Sequence, residues 1–405
     1  GIKMFKELYR SFLSQIDMEQ LYGNTDSLYR LEYGQTFSCY HKSAQRTVEM
    51  LRAAGLPNVE KISYPADGKK SYQDKTMPLG WEATSGRLTV ISGFEIPSGF
   101  VAGDYQKHPF HLIKGSGGTV AGGERLRFIS DEQLLSGCDP HYALVLIPDG
   151  MGPRFGDFIS RALDLGARGF VSDFAMNADE APDKLQWNNA FTERANWHVA
   201  CDDREFIAFC VTPATGKLLR KAIANGEVLA EMESDARRFE SHVDLVTALL
   251  PGNKKDEFWI TAQLYEQLAN DNSSGVAAAI ETARLLMAQG EQLFSLRLVF
   301  AMEYYGFAAY AATHKHNAIG GCDYDAMYLR KDWNINFRCA APATPFYGNY
   351  LAKIFADELK NEPDVPKINY LSSFECMYDD DTFLADPTIG IPMVWPIRNG
   401  KKYMW

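Results

Sequence analysis

From residue 236 onward the chain alternates short apolar runs with amphipathic ones, and this alternation limits its folding more than any other feature. Strand-like runs at 241–250, 258–264, 295–301, 335–339 and 391–395 alternate with helical patterns at 275–288, 306–314 and 347–359. Apolar strands joined through helices predict an α/β domain, a mixed sheet sandwiched by helices. In such sheets chemistry collects at the carboxyl ends of strands. The segments 263–274, 302–306 and 338–345 are therefore the first places to look for a site.

Upstream, residues 1–85 read as a helical part of the same domain. A first amphipathic helix runs to about Tyr22 on Met4, Phe5, Leu8, Phe12 and Ile16; a second, over 43–54, is stopped by Gly55 and Pro57. Residues 86–235 differ. Short strand-like runs at 87–91, 143–147 and 169–171 are broken by Gly-rich turns and by a helix at 155–165. Another helix is expected over 212–226, with Thr212 as its N-cap and Gly226 as its stop. The expected organisation is a β-rich insert at 86–235 between an N-terminal part, 1–85, and an α/β domain, 236–405.

Composition narrows the partners. Lys plus Arg is 41 and Asp plus Glu is 52, a net charge of −11. Such a surface repels phosphate backbones and anionic lipid, so neither nucleic acid nor membrane is expected as a partner. No stretch offers the ~20 apolar residues of a membrane span. The 7 cysteines are scattered without a CxxC pair, which fits reduced thiols. With no apolar leader after Gly1, a cytoplasmic location is the expectation.

The run Ala269-Asn270-Asp271-Asn272-Ser273-Ser274-Gly275-Val276-Ala277 follows one strand, and Ala301-Met302-Glu303-Tyr304-Tyr305-Gly306-Phe307 ends the next. In this order the two resemble the M28 family of co-catalytic zinc aminopeptidases, and the middle segment resembles the protease-associated (PA) domain inserted in many of them. The resemblance implies a zinc-aminopeptidase-like fold. It places a bridging carboxylate at Asp271 and a general base at Glu303. Where the family has a His at the first strand end, this chain has Gln263; where it has the second residue of a Glu-Glu pair, Tyr304. An Asp of an Asn-x-Asp strand end falls on Arg338, in Asn336-Phe337-Arg338. The last ligand, a His after the Gly-Ile-Pro strand, has no counterpart up to Trp405 and would lie beyond it in a longer chain.

Gln is a weak neutral ligand, a Tyr of pKa ~10 binds zinc poorly, and Arg repels a cation. Zinc is therefore expected to be absent, and no other cofactor is expected. The leading expectation is metal-independent acyl chemistry on a peptide-like small molecule: amide or ester hydrolysis, amide formation or cyclisation. Glu303 would be the acid/base and Arg338 the electrostatic stabiliser, either pairing with Asp271 or polarising a carbonyl. Asp271, Gln263 and Tyr304 would complete the polar shell. Glu266, Asp380 and Asp381 are candidates for a substrate amine, although Glu266 reads equally as a rim charge and the two aspartates as a solvated helix cap. Two alternatives stand beside this reading: a zinc aminopeptidase with atypical ligands, and a non-catalytic binding protein on the same fold.

Other candidates read as structural. His314 shares a helix face with Tyr310 at i, i+4 spacing, and Gly115-Ser116-Gly117-Gly118 lacks the spacing of a phosphate loop and reads as a turn. There is no HExxH or GxSxG motif.

Overall fold

The computed structural model describes residues 2–148, 156–189, 191–194, 196–328, 333–340, 347–372 and 380–399. Three helices come first: α1 (Ile2–Gln15), α2 (Met18–Glu32) and α3 (Phe37–Ala53). Thr36 caps α3 by accepting from the Cys39 amide. At the other end Gly55 takes φ +83°, and Leu56 and Gly55 donate back to the Leu51 and Arg52 carbonyls. This double return is why the helix stops at a residue without a Cβ. The first 85 residues are not all helical, however. β1 (Glu60–Ala66) follows, then the short hairpin β2 (Ser71–Tyr72) and β3 (Lys75–Thr76).

The chain then builds a second sheet from β4 (Gly80–Ser92), β5 (Phe100–Asp104), β6 (Glu124–Ile129), α4 (Asp131–Leu135), β7 (Leu144–Leu146), α5 (Gly156–Asp164), β8 (Gly169–Ser172), β9 (Ile207–Cys210), α6 (Pro213–Ala224) and β10 (Leu229–Phe239). Its strand order is β5-β4-β10-β6-β7-β8-β9, antiparallel at one end and parallel from β6 to β9. Gly80 and Phe239, where this sheet begins and ends in sequence, face each other across the β4–β10 pair.

The remaining elements are β11 (Ser241–Leu250), β12 (Glu257–Leu264), α7 (Ser273–Ala288), β13 (Ser295–Met302), α8 (Tyr305–Thr313), β14 (Ala318–Asp323), β15 (Asn334–Ala340), α9 (Tyr347–Leu359), β16 (Ile368–Ser372) and β17 (Met393–Asn399). With β1 they form an eight-stranded mixed sheet, β1-β11-β13-β12-β14-β17-β15-β16. Nearly every residue of β12 and β13 is buried, so helices and loops cover both faces. Trp259, Phe300 and Phe307, each at most 1% exposed, anchor this core.

Strand direction positions the site. β13, β12, β14 and β17 are mutually parallel, so their carboxyl ends share one edge. From β12 the chain winds to β13 on one side and then to β14 on the other. This reversal opens a crevice at the carboxyl edge of β12. β15 and β16 run the opposite way.

Candidate functional site

Three non-glycine residues hold positive φ just beyond the strand ends at this edge: Tyr265 (65°) after β12, Tyr304 (61°) after β13 and Ala326 (51°) after β14. Left-handed backbone at bulky residues persists only where surrounding contacts over-determine it. Here those contacts are polar. The Gln263 amide nitrogen donates to both carboxylate oxygens of Asp323 (3.1 Å each) and to Asp381 Oδ2 (2.6 Å). Its carbonyl oxygen accepts from Asn272 Nδ2 at 2.5 Å. Thr261 Oγ1 donates to Asp323 (2.6 Å), and the Tyr304 amide donates to Asp381 Oδ1 (2.9 Å). Asn272 in turn accepts from the Ala326 amide and donates to the Tyr324 carbonyl, 2.9 Å each. One glutamine thus ties β12, β14, the turn after β13 and the 3-10 turn at Asp380–Ala385 together. Burial and the Asp323 charge push the Asp381 carboxyl well above its ordinary pKa.

A second group of acids lies at the same edge. Glu266, Asp271 and Asp325 each present a carboxylate oxygen, all within 4.8 Å of one another. Asp271 is driven well above the ordinary carboxylate range by burial and then by Glu266 and Asp325. Glu266 stands between Asp271 and Glu303, sharing the acid group with the first and the lining of a small void with the second. Two buried cations flank the group. Arg398, near the end of β17, donates to the Ala326 carbonyl (3.2 Å), and burial lowers its pKa to about 10 against the pull of Asp325 and Asp271. Lys114 arrives from the second sheet. Burial pushes its amine down to about 7, opposed by Glu266, Glu303 and Glu32.

Open space lies to one side. A cleft of about 480 Å³ is bordered by Lys75, Arg194, Trp197 and Tyr304, and a neighbouring one of about 300 Å³ by Gln73, Lys75, Tyr304 and Phe383. The Tyr304 ring stacks on Trp197 (5.9 Å, 12°), and Lys75 Nζ lies 5.2 Å from its centre. Trp197 also borders a void of about 10 Å³ beside Glu303 and Glu266. The Trp197–Tyr304 pair therefore stands between the open cleft and the acids.

The structure brings Gln263, Glu266, Asp271, Glu303, Tyr304 and Asp381 to this edge. Asp381 is 0% exposed and holds Gln263 and the Tyr304 amide, so a solvated cap is the wrong description of it. Asp380 opens the 3-10 turn, but its side chain lies outside the described residues. Arg338 needs correction. β15 is antiparallel to β17, so it ends toward the opposite edge, and Arg338 pairs with Trp395, whose ring centre lies 5.6 Å from the guanidinium carbon. The arginine acting on Asp271 is Arg398. Asp325, which the sequence reading does not single out, also stands at this edge; Asp323-Tyr324-Asp325 at the end of β14 has the same i, i+2 spacing as the Asn-x-Asp pattern expected at Arg338. The segment 341–345 of the third expected loop lies outside the described residues. His314 packs on Tyr310 at 4.5 Å, a structural contact. In the glycine turn, Ser116 donates to the Ile113 carbonyl (2.6 Å).

No curated protein matches the chain in sequence. Among solved structures, the peptidase M28 precursor from Shewanella amazonensis SB2B aligns with a TM-score of 0.67 at 14% identity, covering 98% of this chain and 88% of that one. BSAP, a zinc aminopeptidase from Bacillus subtilis, gives 0.61 at 13%, covering 95% and 85%. The aminopeptidase from Aneurinibacillus sp. strain AM-1 gives 0.56 at 15%, covering 96% and 87%. At these identities the likeness establishes an aminopeptidase-like fold. A family model described as "Domain of unknown function (DUF4910)" matches residues 85–320, more than half of the chain, and the protein belongs to that family.

Proposed function

We propose that the chain is an acyl-chemistry enzyme acting on a peptide-like small molecule without a zinc pair, with Glu303 as its acid/base. The reaction class is amide or ester hydrolysis, amide formation or cyclisation. One observation carries the reading. Glu303, just past the carboxyl end of β13, stands beside a buried carboxyl, Glu266, and the two line one void at the crevice of a peptidase-like sheet. A carboxyl pair in that setting can hold and return a proton beside a substrate carbonyl.

Support for working without two zinc ions comes from the donors. The Gln263 amide is committed on both atoms to Asp323, Asp381 and Asn272. The Tyr304 ring faces Trp197 and Lys75. Arg398 takes the electrostatic role expected of Arg338, next to Asp271 and Asp325. The test is turnover of a panel of aminoacyl anilides, peptide amides and esters. Glu303→Gln is expected to lower kcat/KM about 10²-fold or more, and dialysis against a chelator is expected to leave wild-type turnover intact. Unchanged turnover in Glu303→Gln would sink the assignment.

A second reading has one observation in its favour. Glu266, Asp271 and Asp325 offer three hard oxygen donors close enough to hold a single divalent cation. When bound there, such an ion would polarise a carbonyl. Elemental analysis finding about one equivalent of metal, lost in Asp325→Asn, would favour it over the first.

A further inference from the structure

Two buried donors next to Glu303 lack acceptors. Lys114 is 8% exposed and Trp187 is 6% exposed. Neither Lys114 Nζ nor Trp187 Nε1 has a hydrogen-bond partner among the described residues. Lys114 follows the 3-10 turn at Pro109–His111, and Trp187 lies on the long connection between β8 and β9. Both therefore reach the edge of the eight-stranded sheet from the second sheet. Both border the void of about 10 Å³ that Glu303 and Glu266 also line. The Lys114 ammonium sits 4.4 Å from the centre of the Tyr265 ring and 5.5 Å from that of Trp187, which holds it at the void.

A buried donor without an acceptor costs free energy, and two around one void cost more than chance placement explains. An ammonium and an indole N–H can only donate, so the missing partner is an acceptor atom. The void has room for about one oxygen. We propose that Lys114 Nζ and Trp187 Nε1 form a binding site for a substrate carbonyl or carboxylate oxygen beside Glu303. As a substrate site this rests on the acyl-chemistry reading above; as a binding site it does not. In the reaction, the two donors would meet negative charge as it develops on the carbonyl oxygen while Glu303 moves the proton.

The probe is acetate, titrated at pH 6 into full-length protein carrying ¹⁵N-labelled tryptophan. The Trp187 indole signal is identified by its loss in Trp187→Phe. A saturable shift of that signal is expected in the wild type, with affinity at least ten-fold weaker in Lys114→Met, a shape-conserving change that removes a buried unpaired amine. The shift should persist in Glu303→Gln. No shift, or equal affinity in Lys114→Met, overturns the site. Because acetate binding needs no turnover, an inactive panel with intact binding removes the enzyme reading alone; an active panel with no binding removes this site alone. Where turnover is found, Lys114→Met should lower kcat at least ten-fold with KM changed less, a split that a structural role would not produce.

Discussion

The two sheets use burial in opposite ways. In the second, the centre is apolar throughout: Leu144, Val145, Leu146, Phe170, Val171, Ile207 and Phe209 are each 0% exposed. Its ion pairs, such as Arg168–Glu124 and Arg220–Asp131, lie toward the rim. The eight-stranded sheet is equally apolar in its middle, yet its carboxyl edge buries Gln263, Glu266, Asp271, Asp323 and Asp381 at 7% exposure or less. Burying acids costs stability unless every one is hydrogen-bonded or protonated. The acids buried around the second sheet, Glu124, Asp173 and Asp203, each have a partner of their own, Arg168, Arg220 and the Ala200 amide. Those at the crevice crowd against one another instead, and that crowding has a chemical reason. The second sheet brings packing, and through two loops it adds Lys114, Trp187 and Trp197 to the other sheet's crevice.

The comparison can be broken by substitution. The largest expected loss is in the apolar sheet, where Phe209→Ala should cost about 3–5 kcal/mol, by the same amount at pH 5 and pH 8. Gln263→Leu should cost about 2–3 kcal/mol at pH 8, because Asp323 and Asp381 lose their shared donor. That loss should shrink at pH 5, where a protonated carboxyl can donate to its neighbour. Urea denaturation at the two pH values separates the cases; equal pH dependence would erase the distinction between the sheets.

A smaller effect lies in the pH profile itself. The fold raises the Asp381 pKa, so the unfolded chain releases that proton first. Stability from this group is full below the unfolded value of ~4 and is lost as pH rises through the folded one. His108, packed on Tyr33 and Phe110 beside the second sheet, has the opposite sign. Burial lowers its pKa to about 4. Its contribution is full above the unfolded value of ~6.5 and is lost as pH falls from there toward 4. Asp381→Asn should flatten the alkaline limb of a Tm-against-pH curve, and His108→Gln the acidic limb. The smallest effect belongs to the exposed Lys221–Glu95 pair, where Lys221→Met should change stability by less than ~1 kcal/mol.

How much of this was legible in the sequence follows from how local each signal is. The strand and helix pattern was legible because periodicity lies within a few neighbouring residues: β11 and α9 fall at their expected bounds and β12 within one residue. Gln263, Asp271 and Glu303 were legible because the runs that hold them resemble a known family's and each lies at or just beyond the carboxyl end of such a strand. β14 was passed over because its six residues, Ala318–Asp323, include two glycines and little periodicity, and Asp325 was lost with it. Arg338 was misplaced for a different reason: its strand was recognised, but its direction is set by β17 inserting between β14 and β15. Lys114 and Trp187 left no local trace at all.

The sequence by itself determined the α/β alternation, the helix caps and stops, and the residues that would end up at strand ends, since these depend on backbone preference and side-chain spacing over one or two turns. Only the tertiary structure decided which strand ends share an edge, which arginine faces the acids, and which lysine reaches them. Strand order and direction are chosen by closing long loops against the whole buried surface, a balance no short window of sequence contains.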